Sequence, residues 1–156
     1  MNQNVQEGGC LCGALRYSIE GRGVLLSACH CTECQRTTGS AFGLSLIVLR
    51  ESVKLLKGTP RVFEKTFDDG RVKTTTFCTE CAGRIWNELA RIPQIINVKP
   101  GTLDDPKWLD PVAHIWLSKK QPWVPIPDGA LRFDGQPEDF GAVVKAYAEQ
   151  QARASR

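Results

Sequence analysis

The chain has 156 residues, seven of them cysteines, and a formal net charge of +3 at pH 7. This length suits a single domain over residues 1–156 with a core that folds without disulfide bonds, and the basic residues are scattered among acidic ones, which argues against a nucleic-acid partner. Because the N-terminus lacks a secretory signal and the longest apolar run is about half of a membrane span, we expect a cytoplasmic protein without membrane contact.

In chain order, the sequence predicts mainly strands separated by glycine and proline. Their predicted ranges are residues 14–19, 24–28, 43–50, 62–67, 72–77, 84–87, 95–98 and 112–116. An Asp69-Gly70 pair between two of these strands is typical of a hairpin turn. Apolar residues then recur at helical spacing and predict an amphipathic helix over about residues 138–152, namely Phe140, Val143, Val144 and Tyr147. The expected fold class is mostly β with a C-terminal helix, whose apolar face packs on the body or on a second copy in a homodimer.

The cysteines fall into three tight clusters, and this clustering indicates metal binding. The clusters are Cys10 with Cys12, then Cys29, Cys31 and Cys34, then Cys78 with Cys81. Seven thiols cannot all form disulfides, whereas as metal ligands they divide into four and three. That division predicts one closed tetrahedral zinc site and a second zinc site with a vacant position.

Spacing also predicts how each cluster is arranged. In an extended segment, residues i and i+2 face the same side, so Cys10 can act with Cys12 and Cys29 with Cys31, while His30 faces away. The Cys78-x-x-Cys81 spacing is typical of a turn around one metal. Spacing alone leaves open whether Cys10 and Cys12 join Cys78 and Cys81 or part of the central cluster.

Three segments of the chain have a recognisable pattern, namely Gly9 to Tyr17, Cys29 to Phe42 and Phe77 to Cys81. Later motifs belong to the same pattern, namely His114-Ile115-Trp116, Lys119, Pro122-Trp123 and Leu131 to Gly135. Together these segments and motifs resemble a known family, the glutathione-dependent formaldehyde-activating enzymes. The resemblance covers roughly residues 8–136. It implies the mostly-β zinc fold called the β-tent, which is shared with small Rab-exchange-factor-like proteins.

The resemblance also implies roles for the cysteines. It assigns Cys10, Cys12, Cys78 and Cys81 to a structural zinc, and Cys29, Cys31 and Cys34 to a second, catalytic zinc whose occupancy the sequence does not fix. The implied reaction joins glutathione sulfur to the carbonyl carbon of formaldehyde, giving S-hydroxymethylglutathione; its reverse is a carbon–sulfur lyase step. Ala82 stands where the family commonly has glycine, and a left-handed backbone there would cost alanine about 1 kcal/mol.

The sequence also allows other functions and other roles for individual residues. A non-enzymatic, zinc-stabilised binding module would contain the same cysteines, and His30 is a candidate fourth ligand of the second zinc. His114 could be a structural residue or an acid or base, and Arg36 could receive a substrate carboxylate or be an exposed loop cation. A methionine sulfoxide reductase would need a redox cysteine outside the zinc site, and none follows Cys81, so we set that reading aside.

Overall fold

The computed structural model describes residues 5–154, which are mostly β with a helix near the C-terminus, and this confirms the predicted fold class. Neither α-helix in this range has the length and apolar character that a membrane crossing requires. The elements in chain order are β1 Val5–Gly9, β2 Arg16–Glu20, β3 Leu25–Cys29, α1 Thr32–Thr38, β4 Gly43–Leu49, β5 Val53–Lys57, β6 Arg61–Thr66, β7 Val72–Phe77, β8 Arg84–Leu89, β9 Ile95–Val98, β10 Ala113–Ile115, β11 Leu131–Arg132 and α2 Gly141–Ala154.

The described residues divide into two compact units, each built from two separate segments of the chain. The first unit contains residues 5–23 and 46–108, and the second contains residues 24–45 and 109–154. All four cysteines at positions 10, 12, 78 and 81 belong to the first unit, and the three at positions 29, 31 and 34 belong to the second. That both units form one domain stays a prediction.

In the first unit, strands and an aromatic core hold the two turns that carry cysteines. β2 pairs antiparallel with β1 and β5, and β7 pairs with β6 and β8. Tyr17 of β2 is fully buried, contacts the ring of Trp86 edge-on and shares a 2.7 Å hydrogen bond with the Thr102 hydroxyl. A Cβ on Gly8 would lie 2.6 Å from the Tyr17 hydroxyl, so only glycine fits beside this ring.

The predicted hairpin is present and ends at a cysteine. β6 and β7 pair from Arg61 with Phe77 to Thr66 with Val72, and Gly70 in the connecting turn has a φ of 78°. Glycine adopts such a left-handed conformation without steric cost. Because β7 ends at Phe77, the hairpin delivers Cys78 directly to the end of the sheet.

In the second unit, a parallel pair of strands supports the other cysteine cluster. β10 lies between β3 and β11 and is parallel to both, with Ile115 opposite Cys29. Every residue of β3 is buried, and α2 packs on this strand with Val143 and Tyr147 of the predicted apolar face buried. α2 begins at Gly141, three residues later than predicted at 138, where the Asp139 carboxylate accepts the Gly141 amide hydrogen at 2.7 Å.

The sequence did not predict helix α1, which lies inside the central cysteine cluster. It has seven residues, none of them buried, so it lacks the apolar periodicity by which helices are recognised. Its ends carry the missed signals. Cys31 is the N-cap, its Sγ accepting the Cys34 amide hydrogen at 3.3 Å, and Gly39 is the C-cap with a φ of 62°.

Candidate metal centres

Two turns of the first unit bring together four sulfur atoms. One turn follows β1, where the Cys10 amide donates to the Leu15 carbonyl at 3.1 Å, and the other joins β7 to β8, where the Cys78 amide donates to the Gly83 carbonyl at 3.0 Å. The Sγ atoms of Cys10, Cys12, Cys78 and Cys81 all lie within 4.8 Å of one another. The structure thus groups Cys10 and Cys12 with Cys78 and Cys81, the choice that spacing left open.

The distances within this group suit a tetrahedral ion. Cys10 and Cys12 have sulfurs 3.6 Å apart, and Cys12 and Cys78 have sulfurs 3.8 Å apart. A zinc ion with sulfur ligands at about 2.3 Å gives sulfur–sulfur edges of about 3.8 Å. Disulfide bonding requires about 2.05 Å, so these four thiols are free and are placed so that they could hold a metal ion together.

Backbone amides around the group favour thiolates, the form that binds metal. The Leu15 amide donates to Cys10 Sγ at 3.2 Å, and the Glu80 amide donates to Cys78 Sγ at 3.4 Å. Burial raises the pKa of Cys10, but the Leu15 amide and the three neighbouring thiols outweigh it and lower that pKa to about 6. Such hydrogen bonds stabilise and orient metal-bound sulfurs.

Ala82 has a left-handed backbone, the conformation that would make alanine costly at this position. Its φ is 56°, and its amide donates to the Cys78 carbonyl at 3.0 Å to close the turn. The next residue, Gly83, is close to the cluster, because a Cβ there would lie 3.3 Å from Cys81 Sγ and 3.4 Å from Cys10 Cβ. The turn therefore contains one strained residue beside one that must stay small.

Ala82→Gly is expected to raise the free energy of unfolding by about 1 kcal/mol, because glycine has no Cβ to strain the left-handed conformation. Ala90→Gly is the matched control, since Ala90 is exposed and lies outside the left-handed region. Ala90→Gly should lower the free energy of unfolding by about 0.5 to 1 kcal/mol, because glycine gives the unfolded chain more conformational entropy. Urea unfolding of both variants checks the prediction, and equal signs for the two changes would contradict it.

The second unit brings together the other three sulfurs. Cys29 ends β3, Cys31 caps α1 and Cys34 lies in the first turn of that helix. Their Sγ atoms all lie within 4.8 Å of one another, and no other histidine, cysteine or carboxylate of residues 5–154 joins the group. The change from strand to helix at this point allows three cysteines within six residues to converge.

The electrostatics of this group favour a bound cation. Hydrogen bonding with Cys31 and then with Cys34, together with burial, raises the pKa of Cys29. Three adjacent sulfurs therefore do not all ionise on their own, and a divalent cation would supply the missing positive charge. Soft thiolate ligands select zinc among the common divalent ions of proteins. The donor set fits zinc, and both clusters can hold a metal ion.

Gly43, the first residue of β4, makes room for Cys34. A Cβ at this position would lie 3.3 Å from Thr38 Cγ2, 3.4 Å from Cys34 Cβ and 3.6 Å from Cys34 Sγ. The contacts with Thr38 Cγ2 and Cys34 Cβ are tight, so a larger residue would require the Thr38 or Cys34 side chain to shift by a few tenths of an ångström. The first unit has the equivalent arrangement at Gly83.

We therefore expect Gly43→Ala to weaken metal binding at the three-sulfur cluster about tenfold, the size of effect seen when outer contacts of a metal site are disturbed. The four-sulfur cluster should be unaffected. Gly135→Ala is the control, because a Cβ there meets nothing within 4 Å. Titration of the protein against a chromogenic zinc chelator measures both affinities. Unchanged affinity in Gly43→Ala would show that Cys34 tolerates the added methyl group.

His30 and His114 form a buried pair rather than extending the cysteine group. The Nε2 atom of His30 lies 3.0 Å from Nδ1 of His114, and the two rings are stacked with centroids 5.3 Å apart. Burial, then repulsion from His114 and Lys120, lowers the pKa of His30 to about 4. Burial, then repulsion from Arg132, lowers the pKa of His114. Both rings are therefore neutral at pH 7, and one donates a hydrogen to the other.

The His30 ring also has one nitrogen, Nδ1, that is buried without a hydrogen-bond partner. An unpaired lone pair is less costly to bury than an unpaired N–H group, so we assign the hydrogen of His30 to Nε2, which then donates to His114 Nδ1. This tautomer leaves His114 protonated on Nε2. The pair is thus a structural contact between β10 and the peptide that separates Cys29 from Cys31.

Arg36 is exposed on α1, and the residue before it has contacts that the sequence did not predict. Gln35 donates through Nε2 to the His30 carbonyl at 2.6 Å and to the Lys119 carbonyl at 2.9 Å, and its Oε1 accepts from Gln121 Nε2 at 2.8 Å. The side chain thereby connects the cysteine cluster to the segment 119–121. Its position next to Cys34 was the only sequence signal of this role.

The chain is similar to several known proteins. A family model described as glutathione-dependent formaldehyde-activating enzyme matches residues 5–119. A Halomonas elongata protein, provisionally named a glutathione-dependent formaldehyde-activating enzyme, is 24% identical over 125 residues, which are 77% of this chain and 80% of that protein. The crystal structure of a Rhodobacter sphaeroides protein, a structural-genomics target, aligns with this chain with a TM-score of 0.50 and 18% sequence identity. The alignment covers 67% of this chain and 91% of that protein, so the two have a similar fold.

Proposed function

Because the chain belongs to the glutathione-dependent formaldehyde-activating enzyme family, we propose that its three-sulfur cluster is a catalytic zinc site for joining a thiol to formaldehyde. Glutathione is the thiol that the family description supports. The observation that carries the proposal is the unequal grouping of sulfurs, four in the first unit and three in the second. Zinc takes four ligands, so three thiolates leave one position for a substrate sulfur.

Each cysteine has a defined part in this proposal. Cys10, Cys12, Cys78 and Cys81 would enclose a structural zinc whose binding energy is folding energy. Cys29, Cys31 and Cys34 would hold the second zinc, which when bound lowers the pKa of a coordinated thiol so that thiolate is available near neutral pH. The buried β3 strand and the capped α1 helix hold these three ligands in place.

The overall reaction is an addition that leaves no by-product. A sulfur–carbon bond forms between the thiol and the formaldehyde carbon, the π electrons of the carbonyl move to its oxygen, and that oxygen gains the proton that the thiol has lost. In reverse the sulfur–carbon bond breaks, which is a carbon–sulfur lyase reaction. A cytoplasmic location and assembly as a homodimer remain predictions.

The test is the turnover of glutathione with formaldehyde by the zinc-loaded protein, compared with the rate in its absence, since thiols add to formaldehyde without a catalyst. Product is followed by NMR under conditions where the uncatalysed exchange is slow enough to measure. We expect a rate proportional to protein concentration. A rate equal to that of the buffer alone would favour the alternative, a zinc-stabilised binding module without catalysis.

A further inference from the structure

The second unit has an open pocket beside the helix that carries Cys34. It has a volume of about 430 Å³ and is lined by Gly39, Ser40, Ala41, Gln121 and Trp123. This volume is in the range of small-molecule sites, about 300 to 1,000 Å³. None of these five lining residues has a charged side chain.

Hydrogen bonds connect the pocket wall to the cysteine cluster. The Thr38 hydroxyl donates to the Cys34 carbonyl at 2.8 Å and accepts from the Ser40 amide at 3.3 Å. Gln121, which also lines the pocket, donates to Gln35, which in turn donates to the carbonyl of His30 between Cys29 and Cys31. Pocket and cluster are therefore parts of one hydrogen-bonded assembly within the second unit.

These contacts also fix what Gln121 offers to a ligand. Gln35 donates to two carbonyl oxygens, so Nε2 is its donor end and its Oε1 must accept. Gln121 must then donate through its own Nε2, which assigns the amide orientation chemically. One amide hydrogen and the Oε1 acceptor of Gln121 remain for a ligand, and this combination complements the C=O and N–H of an amide.

The loop that carries Trp123 is held in a fixed shape. The Lys120 ammonium group donates to the carbonyls of Gln121 at 2.9 Å, Pro122 at 3.4 Å and Val124 at 2.8 Å, and the Val124 amide donates to the Gln121 carbonyl at 3.1 Å. Val124 is buried, whereas the adjacent Trp123 is 74% exposed. A rigid turn thus presents a large indole to solvent at the edge of the pocket, and its face suits the stacking of a flat group.

Resting on the proposed function for the position of the reacting sulfur, we infer that this pocket binds the uncharged amide portion of a thiol substrate, stacked on Trp123 and hydrogen-bonded to Gln121. A ligand carboxylate at this point would gain no cationic partner from the lining residues and would have no hydrogen to donate to the Oε1 acceptor of Gln121, whereas an amide N–H can donate to it. The pocket therefore selects amide-bearing thiols and disfavours a carboxylate at the same point of the molecule. Gln35 is a positioning residue, because it sets the orientation of Gln121.

The test uses two thiols that differ by one group and contain no other amide, 3-mercaptopropanamide and 3-mercaptopropanoate, together with their S-methyl derivatives, which have no thiol to bind a metal. Calorimetric titration of the zinc-loaded protein should show the amide binding about tenfold more tightly than the carboxylate, with the same order for the S-methyl pair. Trp123→Ala should weaken amide binding about tenfold, while Trp123→Phe, which keeps a flat ring, should retain most of it. Zinc content should stay that of the unmodified protein in both variants.

The variant Gln121→Glu provides an independent test, because the negative charge of the new side chain should weaken the binding of the carboxylate ligand further. Equal affinity for amide and carboxylate, or unchanged amide binding in Trp123→Ala, would overturn the inference. The outcomes separate it from the proposed function. If the S-methyl pair still shows amide selectivity but formaldehyde is not turned over, the inferred role of the pocket is supported and the proposed reaction is contradicted. If formaldehyde is turned over but neither Trp123→Ala nor ligand charge changes binding, the proposed reaction is supported and the inferred role of the pocket is contradicted.

Discussion

Cys78→Ser is expected to abolish the cooperative unfolding transition of the first unit. Cys78 is almost fully buried, and its sulfur lies 3.8 Å from that of Cys12. Replacing Cys78 therefore removes a buried ligand atom from the four-sulfur site. Apparent binding free energies of structural zinc are about 10 to 16 kcal/mol in small zinc domains, whereas a typical domain is stable by about 5 to 15 kcal/mol. Removing one ligand should therefore remove most of the stability of this unit.

Circular dichroism during heating, together with zinc measured per chain, checks this expectation. The wild type treated with a strong chelator should lose its transition in the same way, since chelation removes the same ion. Cys31→Ser is the matched control, because it replaces a cysteine by serine in the other unit. A Cys78→Ser protein that melts at the wild-type temperature would show that the four sulfurs do not hold a structural metal.

Cys31→Ser is expected to reduce the turnover of glutathione with formaldehyde to the uncatalysed rate while the protein stays folded. This substitution is well suited to the test, because Cys31 has two roles and serine takes over only one. Its Sγ caps α1 by accepting the Cys34 amide hydrogen, and a serine hydroxyl is among the best N-caps. Serine is a poor zinc ligand, so the helix should remain while the third thiolate is lost.

Zinc content should fall from about two ions per chain to about one, and the free energy of unfolding of the first unit should change by less than about 1 kcal/mol. Cys31→Ala separates the two roles, because it loses the cap as well as the ligand and should cost the second unit about 1 kcal/mol more than serine does. A Cys31→Ser protein that keeps two zinc ions, or that keeps its rate above background, would contradict the assignment of a catalytic three-thiolate site.

Local patterns in the sequence were enough for the elements whose geometry depends on near neighbours. The alternation and the Asp69-Gly70 turn predicted β7 with the bounds that the structure has, and they placed β6 within one residue. Helical spacing found α2, and the cysteine intervals found every residue of both sulfur groups. These features depend on only a few consecutive residues, because backbone sterics and the side-chain periodicity of strands and helices determine the local structure there.

Short or exposed elements could not be found in this way. Helix α1 has no buried face, and the edge strand β5 has an exposed run from Lys54 to Lys57, so neither contains the apolar period that predicts an element. β1 was not predicted either: it includes Gly8 and Gly9, and glycine is uncommon in strands, although Gly8 lies in a strand beside the Tyr17 ring. Contacts with distant residues decided these cases.

The sequence by itself determined that seven thiols divide into four and three, because an odd count and ligand spacing are properties of the chain. Only the tertiary structure decided that Cys10 and Cys12 meet Cys78 and Cys81, since 66 residues separate Cys12 from Cys78 and their approach depends on sheet pairing. The same holds for the contact of His30 with His114, which are 84 residues apart, and for the Trp123 pocket, whose lining residues come from two segments at least 80 residues apart in sequence. Spacing specifies which atoms can act together locally, and packing specifies which of these groups meet.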